Sequence, residues 1–221
     1  MAWHFGSDTG TGTAGPCGMD FYLGRLGYSL VKDPDWTLPV ATSIYAFPYW
    51  NVTGPHSKPA SFSAVEAWGK SQEKMFHHYY VSGPPSGRGI TGKTMFGSID
   101  TDGYQNTSAG KTQADAMLTA FFNELHNLVP TSYTLGIYGA VGEYNSRLHA
   151  SWTPPQPLVV WEANSIGGGS SCATIESEWS THMTKNIGSY IPMIWQYQLN
   201  PDHNVTKYNG GPDSGVWTPT T

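Results

Sequence analysis

Short apolar runs alternate with longer stretches of helical periodicity along this chain, and that alternation limits the possible folds more than any other feature. The strand candidates are Trp3–Ser7, Asp20–Leu26, Ala41–Phe47, Thr94–Asp100, Thr134–Tyr138, Leu158–Trp161 and Ile191–Tyr197, with a last short one around Asn204–Tyr208. Between them, Thr112–Val129 puts Ala114, Met117, Leu118, Phe121, Phe122 and Leu125 on one helical stripe, and Pro130 stops the helix. Ser61–Tyr80 repeats the pattern with Phe62, Val65, Trp68, Phe76 and Tyr79, and Ala173–Asn186 with Ile175, Trp179 and Met183. Gly, Pro and Thr mark loops at Thr11–Gly18 and Tyr49–Pro59, and further loops are read at Ser82–Gly92 and Gly167–Ser171. Strands regularly separated by helices predict an α/β fold with a parallel sheet, and so long an alternation fits a closed, TIM-like (β/α) barrel better than an open sheet. With no internal repeat or low-complexity linker, residues 1–221 read as a single domain.

Charge narrows the function. Eleven Lys and Arg stand against 16 Asp and Glu, a formal net charge of −5, whereas a nucleic-acid binder carries a basic excess. No apolar run is long enough to span a bilayer, so membrane insertion is not expected. The start, Met1-Ala2-Trp3-His4-Phe5-Gly6, lacks the basic and apolar regions of a signal peptide. Aromatics reach 14% of the chain, with 9 Trp and 13 Tyr. Stacking platforms for sugars would use them, and an aromatic-rich core would use them equally. Cys17 and Cys172 either form one bridge or stay as two buried thiols. No metal-ligand spacing, nucleophile elbow, P-loop or dinucleotide fingerprint is present, so no cofactor is expected.

In (β/α) barrels, active sites collect at the carboxyl ends of the strands. Asp8 ends the first run, Asp100 and Asp102 end the fourth, Glu162 follows Leu158–Trp161, and Asp202 follows Trp195-Gln196-Tyr197. Asp100 and Asp102 are two apart, so on an extended strand they point the same way. Two carboxyls facing one cavity suit glycoside hydrolysis: one stays protonated to donate to the leaving oxygen, the other stays ionised. Taken alone, Asp100-Thr101-Asp102-Gly103 also reads as an Asx-type turn leaving the strand.

The ordered set of motifs resembles the glycoside hydrolase family 25 lysozymes, which cleave the glycan of peptidoglycan. Phe5-Gly6-Ser7-Asp8 is similar to the family's first strand, Ser43-Ile44-Tyr45-Ala46-Phe47 to its G-x-Y-H-F strand, and Asp100-Thr101-Asp102 to its D-x-E strand end. Leu135-Gly136-Ile137-Tyr138-Gly139, Leu158-Val159-Val160-Trp161-Glu162-Ala163, Ile194-Trp195-Gln196-Tyr197 and Asp202-His203-Asn204-Val205 follow in the family's order. Asp100-Thr101-Asp102-Gly103-Tyr104 is also similar to the D-x-E-x-Y strand end of a related glycoside-hydrolase-like barrel family without established activity.

The resemblance implies a modified (β/α) barrel that hydrolyses the β-1,4 bond after N-acetylmuramic acid. Asp102 falls on the position of the family's acid, with Asp8, Asp100 and Asp202 lining the cleft and the substrate's N-acetyl group available as internal nucleophile. Two departures stand out. Asp102 replaces Glu, and one lost methylene moves the proton by about an ångström, a displacement that can cost roughly a hundredfold in rate. Ala46 replaces a His. Glu162 is the candidate substitute acid, against a plain reading as a partly exposed strand-end residue. Tyr45, Tyr138, Trp161, Trp195 and Tyr197 are the candidate sugar-stacking residues, and Tyr49 and Trp50 would stand exposed in a loop. Peptidoglycan or another glycan is the expected partner, at an extracellular, wall-associated or phage-borne location. The alternative is a barrel that kept the sugar cleft and lost the chemistry, as a glycan-binding or structural module of a phage tail or cell surface.

Overall fold

A computed structural model describes residues 2–8, 14–28, 31–32, 45–52, 91–99, 106–166, 170–199, 201–208 and 210–221. Its strands are β1 (His4–Ser7), β2 (Phe21–Tyr28), β3 (Val31–Lys32), β4 (Tyr45–Val52), β5 (Thr94–Ile99), β6 (Thr134–Gly139), β7 (Leu158–Ala163), β8 (Pro192–Gln198) and β9 (His203–Thr206). The helices are α1 (Ser108–Leu128), α2 (Val141–Arg147), α3 (Cys172–His182) and α4 (Gly210–Ser214). The helix expected over Ser61–Tyr80 lies outside the described residues.

One sheet carries the nine strands of the described residues, in the order β1-β9-β8-β7-β6-β5-β4-β2-β3. Because β1 also pairs in parallel with β2, through Gly6↔Phe21 and Ser7↔Tyr22, the sheet curls until its ends meet. From β2 through β4, β5, β6 and β7 to β8 the neighbours run parallel. The regular eightfold parallel barrel is not what forms. β9 runs antiparallel to both β8 and β1, and β3 is a two-residue antiparallel addition to β2. The connection from β8 to β9 is too short for a helical crossover, which requires a dozen or more residues, so β9 has to turn back.

Local chemistry explains most boundaries. α1 starts at Ser108, earlier than periodicity alone indicates, because the Thr107 side chain accepts from Gly110 N at 3.2 Å and caps the helix. Its stripe of Ala114, Met117, Leu118, Phe121, Phe122 and Leu125 is buried with Met95, Leu135, Ile137 and Val160 on the outer face of the sheet. α3 is shorter than Ala173–Asn186: Ser171 caps it through Thr174 N, and it ends at His182. The third strand is displaced relative to Ala41–Phe47. β4 passes through Pro48, and its register with β5 begins one residue later, at Tyr49↔Phe96, so the proline's missing donor falls ahead of that ladder. Tyr49 and Trp50 are therefore strand residues and not the loop residues expected.

A second cluster, Phe21, Leu23, Phe47, Phe96, Val159, Trp161, Met193, Ile194 and Trp217, draws on strands all round the sheet and on no residue of α1, α2 or α3. It fills the concave side. Trp217 arrives from the C-terminal segment, against Phe47 at 4.5 Å and Phe21 at 5.4 Å between ring centroids. That segment is stitched to the amino ends of β5 and β6: Trp217 N donates to Thr94 Oγ1 at 3.0 Å, and Thr134 Oγ1 donates to Trp217 O at 2.9 Å. A side chain on Gly211 would overlap the Trp217 ring. The plug thus closes the end of the sheet opposite the strands' carboxyl ends.

A third cluster lies outside β1, β8 and β9. Phe5, Trp195, Tyr197 and Val205 pack there against Ile175 and Trp179 of α3. Cys17 and Cys172 are bonded across this layer, tying the segment after β1 to the start of α3. Among the described residues, no helix is long and apolar enough to cross a membrane.

Candidate functional site

At the carboxyl end of β1 the chain turns Asp8 inward, and the carboxyl is buried. Both oxygens are held. Asn204 Nδ2 donates to Oδ1 at 2.6 Å from β9, and Gln196 Nε2 donates to Oδ2 at 2.9 Å from β8. Each amide is itself held from behind. The Trp161 indole N–H of β7 donates to Asn204 Oδ1 at 2.8 Å, and the Tyr138 hydroxyl of β6 donates to Gln196 Oε1 at 2.6 Å. Tyr144 OH in turn donates to Tyr138 O at 2.7 Å, fixing the end of β6 to α2.

The environment favours a neutral Asp8. Burial is the largest cause, the charge of Asp202 adds to it, and the amide donors oppose both, leaving the carboxyl pushed up to about 8. Asp202 sits half-buried in the turn before β9, where its carbonyl takes the Asp8 N–H at 3.4 Å. The Tyr138 hydroxyl is held far above the usual phenol range, by burial first and then by Asp8 and Asp202. The result is a carboxyl held at a fixed place, its proton affinity raised by burial, beside a second carboxyl and a tyrosine hydroxyl. Such a group can donate a proton or accept and orient a sugar hydroxyl. Among the described residues, no three His, Cys, Asp or Glu gather closely enough to hold a metal ion.

Of the residues expected at the site, Asp8, Tyr138, Trp161 and Asp202 come together at this end of the sheet. Asp100 and Asp102 lie outside the described residues. Tyr45 opens β4, so it stands at the strand's amino end and not near the carboxyl end. Trp161 is fully buried beneath Tyr138, ring centroids 3.9 Å apart, so it forms the floor and offers no face to a sugar. Trp195 and Tyr197 leave β8 on the outer face, under α3; Trp195 stacks on His182 at 4.9 Å and donates its indole N–H to Asn164 O. Both are core residues.

Glu162 is also excluded from the cleft. It leaves β7 with Leu158 and Val160, on the face opposite Val159 and Trp161. Its Oε2 accepts Val141 N at 2.9 Å, supplying the α2 amino terminus with the cap that Ala140 cannot provide. Burial pushes this carboxyl up to about 7, opposed by the Val141 hydrogen bond and the Lys185 charge.

Gln196 and Asn204 were the residues missed. The available signal was a polar residue between Trp195 and Tyr197 in an otherwise apolar strand, and an Asn two places after Asp202.

No protein-family model matches the sequence, and no curated protein matches it. The fold is similar to the catalytic domain of endolysin ply40 from bacteriophage P40 of Listeria monocytogenes, with TM-score 0.53 and 11% identity over 93% of each chain. The modular autolysin LytC from Streptococcus pneumoniae, solved with a synthetic peptidoglycan ligand, gives TM-score 0.44 and 14% identity over 85% of this chain and 40% of that one.

Proposed function

We propose that this protein is a peptidoglycan-directed glycoside hydrolase of the muramidase type, built on a modified (β/α) barrel and working at the mouth around Asp8. The observation that carries the reading is the buried, doubly clamped Asp8 at the carboxyl end of β1, with Asp202 beside it. An apolar side chain would fill the same place without the chain of hydrogen bonds that this carboxyl and its two amides require. The likeness in fold to an endolysin catalytic domain supports the same direction.

In this reading Asp102 donates the proton to the leaving oxygen and Asp100 stays ionised beside it. The substrate's N-acetyl oxygen attacks the anomeric carbon, and Asp8, Asp202 and Tyr138 position the sugar. The rival reading, a glycan-binding module without turnover, is favoured by Asp102 in place of Glu and by Ala46 in place of His.

The test is release of reducing ends from purified cell walls by wild type, Asp8→Asn, Asp100→Asn and Asp102→Asn. Hydrolysis lost in Asp102→Asn supports the assignment. Wall binding without any reducing ends would leave the binding module. Neither binding nor hydrolysis would sink both readings.

A further inference from the structure

The two amides that clamp Asp8 are not equivalent. Trp161 Nε1–H can only donate, so Asn204 must turn its oxygen to the indole and its NH2 to Asp8 Oδ1. A proton on Oδ1 pointing at Asn204 would meet a donor there, not an acceptor. Gln196 is different, because both its partners can donate or accept: the Tyr138 hydroxyl on one side and Asp8 Oδ2 on the other. With Asp8 ionised, the chain of donors runs Tyr138 O–H to Gln196 Oε1, then Gln196 Nε2–H to Asp8. When Asp8 takes a proton, Oδ2 is the oxygen whose amide partner can reverse to accept it, and an amide N–H left facing that proton is repelled.

We infer that Gln196 is a two-way switch: its amide turns over when Asp8 is protonated, accepts the Oδ2 proton, and presents N–H to the Tyr138 oxygen. Tyr138 changes from donor to acceptor on that bond, and its own proton turns to another acceptor. Tyr138 is the half-buried member of the set, so the chemistry suited to it is an acceptor oxygen of the substrate, such as an N-acetyl carbonyl. This last step rests on the hydrolase reading; the switch itself does not. It is a positioning role, since Gln196 acts through Tyr138 and Asp8.

Asp202 approaches Asp8 from the turn before β9, and Tyr138 comes from β6, while His203 turns to the outer face beside Tyr197. Among the described residues, β7, β8 and β2 present the uncharged Trp161, Gln196 and Leu23 on this side.

Selective 13C labelling tests the switch on the whole protein. Asp8 Cγ and Tyr138 Cζ are followed by NMR as pH is raised, in wild type, Gln196→Met and Asp8→Asn. Wild type should show one common midpoint for both carbons. Gln196→Met should lose the Tyr138 response while Asp8 still titrates. Asp8→Asn, which mimics the protonated acid, should hold Tyr138 Cζ at its low-pH position throughout. A flat Tyr138 signal in wild type, or a response unchanged in Gln196→Met, would overturn the switch. If Gln196→Met does not fold, an Asp8→Asn signal at the high-pH position overturns it equally. A protein inactive on cell walls whose Tyr138 still follows Asp8 would remove the hydrolase reading and support the switch.

Discussion

Trp161 and Glu162 are neighbours in the chain and point to opposite sides of β7: the indole closes the floor under Tyr138, and the carboxylate caps α2 at Val141. That single alternation separates a residue of the candidate site from a residue of the scaffold. It also decides what Glu162 does for stability.

Glu162→Gln should leave wall hydrolysis at its wild-type rate, because the side chain does not reach the mouth. Stability should change with pH instead. An acid whose pKa is raised by folding holds its proton more tightly in the folded chain, so stability falls as pH rises between the unfolded and folded values. For Glu162 that window runs from 4.5 to about 7. Above it the variant should be more stable than wild type by on the order of 2 kcal/mol, and below it the two should converge. Thermal unfolding at several pH values measures the difference. Loss of hydrolysis in this variant would instead make Glu162 the acid.

Asp8→Asn should separate stability from function. The same sign applies, over a window from 3.8 to about 8. The variant should therefore unfold at a higher temperature than wild type at pH 9, with the gain shrinking toward pH 4. Wall hydrolysis should fall by tenfold or more if the clamped carboxyl takes part, about 1.4 kcal/mol of lost transition-state binding. A variant of unchanged activity would remove Asp8 from the site.

Trp217→Ala should cost about 3–5 kcal/mol in urea unfolding, the usual range for emptying a buried aromatic site. The indole touches Phe21, Phe47 and Phe96 from three strands, so its loss leaves a cavity that backbone movement cannot easily close. Removing residues 215–221 should be at least as harmful, because the stitching to Thr94 and Thr134 goes with it. A truncated chain as stable as the full one would show that the plug is dispensable.

Reduction of Cys17–Cys172 should lower stability by roughly 2–5 kcal/mol, as expected for a bond closing so long a loop, here a separation of 155 residues. Equilibrium unfolding with and without a reductant, beside Cys17→Ser/Cys172→Ser, gives the value. Equal stability of reduced and oxidised protein would assign the bond no role in the fold.

Much of the fold was legible along the chain because it depends on short-range pattern. The buried stripe of α1 follows from residues three and four apart, and β7 reads as a strand covered on both faces because Leu158, Val159, Val160 and Trp161 run together. Asp8 could be placed at a strand end for the same reason. Side-chain direction could not. At β8 the register with β7 shifts, so Met193 and Ile194 both enter the concave cluster and the alternation beyond them sends Gln196 inward and Trp195 and Tyr197 outward. Nothing in Ile194-Trp195-Gln196-Tyr197 announces that bulge.

The sequence by itself determined the alternation of strands with helices, the low charge, and the presence of acids where strands end. Those are properties of neighbours, and periodicity records them. Only the tertiary structure decided that β9 runs backwards, that Trp217 closes the far end of the sheet, that the two cysteines meet, and that Asp8 is gripped by Gln196 and Asn204. Each of these joins residues far apart in the chain, and each depends on curvature and register accumulated over several strands. A carboxyl becomes a candidate reactive group through burial and partners, and both belong to the assembled sheet.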